Sequence, residues 1–259
     1  MTAPPPYDRV VVPVRPDAGA GAAVDLAADL ARHWGVAVVI VNVSPAAGGA
    51  GVSEARLAGF AERCAGVEVQ LRHADYGSVA AALVAEAGPR GVVCAATHGA
   101  ERAGALVHGV TDEVLATATG PVVLAGPRVP PGGLRPGRVV ACLGEPDTAA
   151  GTVEAGRMWA GDLDRPLWLA EVIRPGDRRP PTPPGDPGGP ASGRVAGRVR
   201  IEAHDPARAL ARLAASEPVA LLVMTTHGRS GWPRVWSGSV TAATAHRARC
   251  PVVATRAGE

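Results

Sequence analysis

The chain has 259 residues, of which 47% are hydrophobic and 19% charged, and its formal net charge is +2. All 26 basic residues are arginine, so the lysine chemistry of a P-loop or a pyridoxal Schiff base is excluded. Because the net charge is small and only 3% of the residues are aromatic, the chain lacks the basic surface and the stacking residues of a nucleic-acid-binding protein. We therefore expect a globular protein that does not bind nucleic acid.

The N-terminus and the cysteines indicate where the protein works. The first residues, MTAPPPYDRV, lack the apolar segment of a signal peptide, and apolar runs such as 36–41 are far shorter than the roughly 18 residues that span a bilayer. These features predict a cytoplasmic protein with no membrane partner. Because no Cys-x-x-Cys pair occurs, we expect buried free thiols rather than zinc ligands or disulfides at Cys64, Cys94, Cys142 and Cys250.

In the first half of the chain, valine-rich runs alternate with alanine-rich segments of helical period. Strands are predicted over 10–14, 36–43, 67–74, 91–97 and 121–126, and helices over 18–34, 78–87 and 111–118. Such alternation is typical of βαβ units around a parallel sheet that is buried on both faces. The first half therefore predicts a five-stranded doubly wound domain.

The second half repeats the first. A shift of 129 residues brings VVVPVRPD (10–17) onto VVACLGEP (139–146), ATHG (96–99) onto TTHG (225–228), and Gly109 onto Gly238. The chain is thus an internal duplication, and its fold class is α/β with two tandem doubly wound, five-stranded, Rossmann-like parallel-sheet domains. We expect the first domain at 1–128, a Pro/Gly-rich linker at 129–136 and the second domain at 137–259.

Two further features concern the edges of these domains. The Pro/Gly-rich stretch 174–198 of the second domain cannot form a packed element by its composition, so it is predicted to be a mobile insertion. The last strand of each domain, around Val122 and Val252, would leave an open hydrogen-bonding edge. We therefore expect the two strands to pair, so that the domains form a pseudo-two-fold pair within the chain.

The stretch LLVMTTHGRSGWPRVWSGSV (221–240) has the ingredients of an anion site. Gly228 follows a predicted strand, and Gly238 and Ser239 are predicted to open the last helix, whose N-terminus would present backbone N–H groups. No acidic residue occurs between Thr225 and Cys250. The arginines in that interval are Arg229, Arg234, Arg247 and Arg249. The stretch therefore predicts a site for phosphate groups.

The spacing of this stretch resembles that of the universal stress proteins, whose ATP-binding members carry the motif G-x2-G-x9-G-[ST]. The second copy reads Thr225-x2-Gly228-x9-Gly238-Ser239, with threonine in place of the first glycine, and VMTTHGRSG and CPVVATR also resemble the family. The resemblance covers both halves of the chain. It implies a tandem universal stress protein with an adenine-nucleotide-hydrolase-like fold, a dimer formed through the last strand, and ATP or AMP bound with little hydrolysis.

The resemblance also implies which residues bind the nucleotide. An adenine nucleotide such as ATP, with or without Mg²⁺, is expected in the second domain, with no catalytic residue and no protein metal ligand. The implied binding residues are Leu143, Gly144, Val172, Met224, Thr225, His227, Gly228, Arg229, Gly238, Ser239, Val240 and Thr241. The first copy reads Ala96-x2-Gly99-x9-Gly109-Val110, which lacks the first glycine and the hydroxyl residue. We therefore expect one nucleotide per chain.

One departure from the family leaves the choice of base open. The ATP-binding members usually place an aspartate after the first strand, where it recognises the nucleoside, but this chain has Arg15 and Gly144 there. Two other stretches do not predict a site: GAGAAV (19–24) lacks the third glycine of a dinucleotide site, and GRSG (228–231) is not a nucleophile elbow. His98 and His227 recur in register, which indicates that they orient the loop.

Three functions remain from the sequence. The first is a non-enzymatic, nucleotide-responsive stress protein whose partners are the nucleotide, its own second domain and, as a further option, a second chain. The second is a scaffold or regulatory interaction protein that has lost nucleotide binding. The third is a weak ATPase, for which Glu145 and Asp147 are the nearest carboxylates to the first strand of the second copy.

Overall fold

The structure of the protein is a computed structural model that describes residues 6–15, 20–44, 52–75, 79–97, 110–144, 146–178, 180, 194–226 and 240–256. The chain divides into two compact units, Met1–Leu134 and Arg135–Glu259. The division falls within the segment predicted as the linker. Among the helices described, none is both long and apolar enough to cross a membrane.

The first unit is a five-stranded parallel sheet with helices between the strands. Its strands are β1 (Arg9–Val14), β2 (Ala37–Ser44), β3 (Val69–Asp75), β4 (Gly91–Ala96) and β5 (Val122–Ala125), in the order β3-β2-β1-β4-β5. Its helices are α1 (Gly21–Trp34), α2 (Glu54–Arg63), α3 (Val79–Ala87) and α4 (Val110–Thr117). Every neighbouring pair of strands is parallel, as the βαβ alternation predicts.

Helix α2 was not among the predicted elements. Its buried residues Leu57 and Phe60, followed by the buried Cys64, are three and four residues apart, which is the spacing of one helix face. Ser53 precedes the helix in an extended conformation, at the N-cap position that serine favours. The signals for α2 were therefore present in the sequence.

The second unit repeats the arrangement. Its strands are β6 (Arg138–Leu143), β7 (Leu167–Ile173), β8 (Val195–Glu202), β9 (Val219–Thr226) and β10 (Val252–Arg256), in the order β10-β9-β6-β7-β8. Its helices, among the residues described, are α5 (Pro146–Asp162), α6 (Pro206–Ser216) and α7 (Val240–Arg247). All the strand pairs within this unit are parallel.

The predicted C-terminal boundary of the insertion 174–198 is wrong. Residues 195–198 begin strand β8, and their backbone groups pair with β7 from Leu167 onward. The prediction ran too far because residues 174–198 are rich in proline and glycine. The next four residues, VRIE (199–202), alternate between apolar and charged side chains, as an edge strand does. At the other end, Arg174 and Asp177 close a turn through a 3.0 Å backbone hydrogen bond. Residue 179 and residues 181–193 lie outside the described residues.

The valine-rich runs form the centre of each unit. Val10, Val11 and Val12 of β1 are completely buried, as are Leu221, Leu222 and Val223 of β9. Strands covered on both faces have no polar side, which is why their sequences are continuously apolar rather than alternating. The burial of these runs accounts for the strongest signal in the sequence.

Helix α5 packs closely on the second sheet because it contains Gly156. A Cβ atom at Gly156 would lie 2.7 Å from the Cβ of Ala141 on β6 and 3.1 Å from Cδ1 of Leu167 on β7. No real side chain fits at the first of these distances. Gly156 therefore sets how near α5 lies to the strands that carry the predicted site.

The segment predicted as the linker is attached to helix α1 of its own unit. The backbone N–H of Gly132 donates to Oδ2 of Asp25 at 2.7 Å, and that of Leu134 donates to Oδ2 of Asp29 at 2.8 Å. Because two carboxylates of one helix hold it, the end of the first unit is not a free tether.

The four cysteines are free and buried, as predicted. Burial raises the pKa of Cys250 to about 12, and it also raises the pKa of the Cys64, Cys94 and Cys142 thiols. Their thiols are therefore neutral inside the fold at physiological pH. The predicted pairing of the strands around Val122 and Val252 concerns the relation between the two units and stays a prediction.

Candidate functional site

The candidate site lies where the strand order of the second unit reverses. Strand β6 is the first strand of the second unit and is flanked by β7 on one side and by β9 on the other. The chain thus leaves β6 toward one edge of the sheet and later returns to its opposite side. In open parallel sheets, ligands bind outside the carboxyl ends of the strands at such a switch point.

Five of the predicted binding residues lie near the carboxyl ends of these strands. Leu143 ends β6 and is followed by Gly144, Val172 is the last but one residue of β7, and Met224 and Thr225 lie near the end of β9. The register Val139 with Leu221 through Ala141 with Val223 brings the ends of β6 and β9 to the same level. The structure therefore gathers these five residues on one edge.

This edge offers an apolar floor and an open position. Leu143 and Met224 are 5% and 7% exposed, and Val172 is half-buried. Gly144 is exposed, and a Cβ atom there would make only an ordinary 3.6 Å contact with Oγ1 of Thr148. The end of β6 therefore has room for a group larger than the hydrogen of glycine.

Helix α7 begins with two further predicted residues. Val240 is 41% exposed at the first position, whereas Thr241 is buried. The first turn contains no acidic residue, so nothing in it opposes an anion at the positive end of the helix. The remaining predicted residues, His227, Gly228, Arg229, Gly238 and Ser239, lie outside the described residues.

Thr225, which takes the place of the first motif glycine, bonds to helix α5. Its Oγ1 is hydrogen-bonded to Oγ1 of Thr152, a completely buried residue, and Thr152 in turn donates to the backbone oxygen of Thr148 at 2.9 Å. Sequence reasoning missed Thr148 and Thr152, because nothing in the motif indicates which helix faces the end of β9. Comparison of the two copies could have found Thr152 and its partner Thr225, since the first copy has alanine, Ala23 and Ala96, at the equivalent positions.

A buried carboxylate next to the site was also missed. Glu171 of β7 is 2% exposed and is in register with Leu143, and its Oε2 lies 3.7 Å from Nε of Arg200 on β8. The equivalent residue of the first unit is Asn42, which accepts a hydrogen bond from the backbone N–H of Val52 at 3.0 Å. The two units thus have a buried polar side chain at the same position, but this side chain contacts a different neighbour in each unit.

The donor set of the site does not form a metal centre in the part of the chain that is described. No group of three His, Cys, Asp or Glu side chains that could hold a metal ion occurs there. Glu145 and the side chain of Asp147, the two carboxylates expected nearest to the site, lie outside the described part. The weak ATPase alternative therefore gains no ligand from the described residues.

The corresponding edge of the first unit differs in its residues. Strand β1 is followed by Arg15, which is half-buried, and β4 ends at Ala96, which is followed by Thr97. The glycines of the first motif, Gly99 and Gly109, lie outside the described residues. A guanidinium group and a methyl group therefore stand where the second unit has Gly144 and the hydroxyl of Thr225.

Comparisons with known proteins support the fold described above. Residues 189–256 match the model of the universal stress protein family. A universal stress protein from Archaeoglobus fulgidus DSM 4304 has a TM-score of 0.66 at 16% identity, with 98% of each chain covered. A putative universal stress protein from Pseudomonas aeruginosa UCBPP-PA14 has a TM-score of 0.62 at 15% identity, with 96% of this chain and 93% of that chain covered.

A third solved structure, of a functionally unknown protein from Pseudomonas aeruginosa PAO1, has a TM-score of 0.60 at 14% identity, with 96% and 93% of the chains covered. No curated protein sequence matches the chain. The solved structures show that the fold extends over nearly the whole chain, and the family model matches residues 189–256, which lie within the second unit.

Proposed function

We propose that the chain is a universal stress protein that binds one adenine nucleotide, of the ATP or AMP type, at the carboxyl edge of its second unit and does not turn it over. The observation that carries the proposal is the meeting of the ends of β6, β7 and β9 at the switch point, where Thr225 of the motif lies with Leu143, Gly144, Val172 and Met224. Binding would then report nucleotide level during a stress response.

The chemistry of the edge suits a nucleoside. Leu143, Val172 and Met224 supply apolar surface of the kind against which the face of a base packs. Gly144 leaves space beside them. The start of α7, with no acid in its first turn, suits the phosphate groups, as does the motif spacing from Thr225 to Ser239.

The proposal that the protein is not an enzyme rests on the carboxylates. Phosphoryl transfer needs a group that holds Mg²⁺ or orients the attacking water. Glu171, the carboxylate of the described residues that is in register with the end of β6, is 2% exposed and lies beside Arg200. A buried and charge-compensated glutamate is poorly placed to act on water at the edge.

Calorimetric titration with ATP, AMP and GTP tests the proposal. We expect one adenine nucleotide per chain, with Ser239→Val and Gly238→Val each abolishing the signal because they alter the phosphate end of the motif. The matched control is Gly109→Val, which makes the same change in the first copy and should leave binding intact. Phosphate release should stay at the background rate.

Several outcomes would contradict the proposal. Two equivalent sites per chain, or binding that survives both second-copy substitutions, would overturn the assignment to the second unit. Steady phosphate release that Ser239→Val abolishes would establish the ATPase alternative. A chain that binds none of the three nucleotides would favour the scaffold alternative.

A further inference from the structure

A chain of hydroxyl groups connects the end of β9 to the first turn of α5. Thr152 donates its proton to the backbone oxygen of Thr148, so its Oγ1 can only accept from Thr225. The direction is therefore set: the Thr225 hydroxyl donates to Thr152, and the Thr152 hydroxyl donates to the helix backbone. We name Thr152 and Thr225 the hydroxyl pair.

The two copies of the unit differ at both members of the hydroxyl pair. The shift of 129 residues places Thr152 on Ala23 and Thr225 on Ala96, so the second unit has both hydroxyls and the first unit has neither. Thr152 and Ala23 are both completely buried. Without Thr152, the Thr225 hydroxyl would lose the acceptor that the pair gives it, whereas Thr152 alone would still donate to the backbone oxygen of Thr148.

We propose that the hydroxyl pair is a positioning device that fixes the end of β9 against α5 and so sets where the chain leaves the sheet toward the motif residues Gly228, Gly238 and Ser239. This inference rests on the proposed function. It gives a reason for threonine at the place of the first motif glycine, because the Thr225 side chain is committed to the helix. Glycine would leave the backbone free at the point where the chain leaves β9.

Mutation of each member separates positioning from stability. Thr225→Ala and Thr152→Ala should each weaken AMP binding about fivefold, the scale of one neutral hydrogen bond. Thr152→Ala should cost at least as much as Thr225→Ala, because it leaves the Thr225 hydroxyl without its acceptor. Thr225→Ser keeps the hydroxyl and should bind within about twofold of the wild type. The double alanine variant should bind no more weakly than the worse single variant, since the pair acts as a unit.

The matched control lies on the same helix. Val153→Ala removes apolar contacts of a residue that is 4% exposed, without touching a hydroxyl. It should lower the Tm and leave the AMP Kd within about twofold. Amide hydrogen exchange supplies a second measurement, in which the amides of Thr225 and Thr226 should exchange faster in Thr152→Ala than in Val153→Ala.

The possible results separate this inference from the proposed function. If the wild type binds AMP and the alanine variants bind equally well, the hydroxyl pair has no positioning role although the proposed function stands. If Thr225→Gly binds AMP more tightly, the threonine obstructs the site and the inference is overturned. If the wild type binds no adenine nucleotide, the proposed function fails and the role in binding fails with it.

Discussion

Arg63 of helix α2 donates to both carboxylate oxygens of Asp25 on helix α1, each at 2.7 Å. The Asp25 side chain is 13% exposed and also accepts the backbone N–H of Gly132. The same carboxylate raises the pKa of Arg63, through their hydrogen bonds first and also through its negative charge, and these effects outweigh burial, which lowers that pKa. One side chain thus joins two helices and the end of the first unit.

Asp25→Asn should therefore destabilise the first unit and release residues 130–134. Loss of the charge-assisted bonds should cost about 1–2 kcal/mol, since a bidentate arginine pair is stronger than a neutral hydrogen bond. Urea unfolding measures the free energy, and hydrogen exchange measures the Gly132 amide. The control is Asp8→Asn. The side chains of Asp8 and its partner Arg90 are both about half exposed, so the free energy of unfolding should change by no more than roughly 0.5 kcal/mol. Equal losses in the two variants would contradict the assigned role of Asp25.

Two helix glycines should respond to the same substitution with opposite signs. Gly156→Ala places a Cβ 2.7 Å from the Cβ of Ala141 and should cost about 1–3 kcal/mol as α5 is forced outward. Gly59 of α2 has no neighbouring atom within 4 Å of such a Cβ, so Gly59→Ala should stabilise the protein by about 0.5–1 kcal/mol. Thermal unfolding measures both variants. A stabilising Gly156→Ala would show that α5 does not pack as closely as described.

Buried thiols should make the protein sensitive to alkali. The pKa of Cys250 is about 12 in the fold against 9.0 for an ordinary cysteine, because burial disfavours the thiolate. The unfolded chain therefore releases its thiol proton first. The free energy of unfolding should consequently fall as the pH rises from 9 toward 12, by up to about 1.4 kcal/mol per pH unit for each such thiol.

Urea unfolding between pH 8 and pH 11 checks this expectation, and the chain has no lysine to titrate in that range. Cys250→Ala should reduce the slope, because it removes one of the buried thiols. An unchanged slope would mean that groups other than this thiol dominate the alkaline response.

Gly144→Asp should strengthen adenine nucleotide binding. The structure leaves room for the side chain, with 3.6 Å between the added Cβ and Oγ1 of Thr148, and a carboxylate at the end of β6 can accept hydrogen bonds from a nucleoside. A hydrogen bond to a charged group corresponds to about a tenfold gain or more in affinity for AMP. Calorimetry gives the Kd, and Arg15→Asp makes the equivalent change in the first unit, where no effect on AMP binding is expected. Weaker binding by Gly144→Asp would show that phosphate, rather than the nucleoside, lies near this position.

The sequence predicted those parts of the fold that depend on periodicity and repetition. The runs around Val11 and Leu222 marked the buried strands, and the shift of 129 residues established the two copies. Contacts between distant segments could not be read in the same way. The bond from Thr225 to Thr152, and the one from Gly132 to Asp25, join residues whose nearness depends on how helices rotate against the sheet. No spacing along the chain encodes that rotation.

The strand order has a consequence for how the protein is made. In the first unit Arg9 of β1 pairs with Gly91 of β4, and in the second Val139 of β6 pairs with Leu221 of β9, so both ladders join residues 82 positions apart. During synthesis on the ribosome, each central strand therefore lacks one of its pairing strands until most of its unit has been made. Folding that depends on such distant contacts is slow, and the strands that are still unpaired are apolar. The nascent chain should therefore pass through a period in which it is open to aggregation and to capture by chaperones.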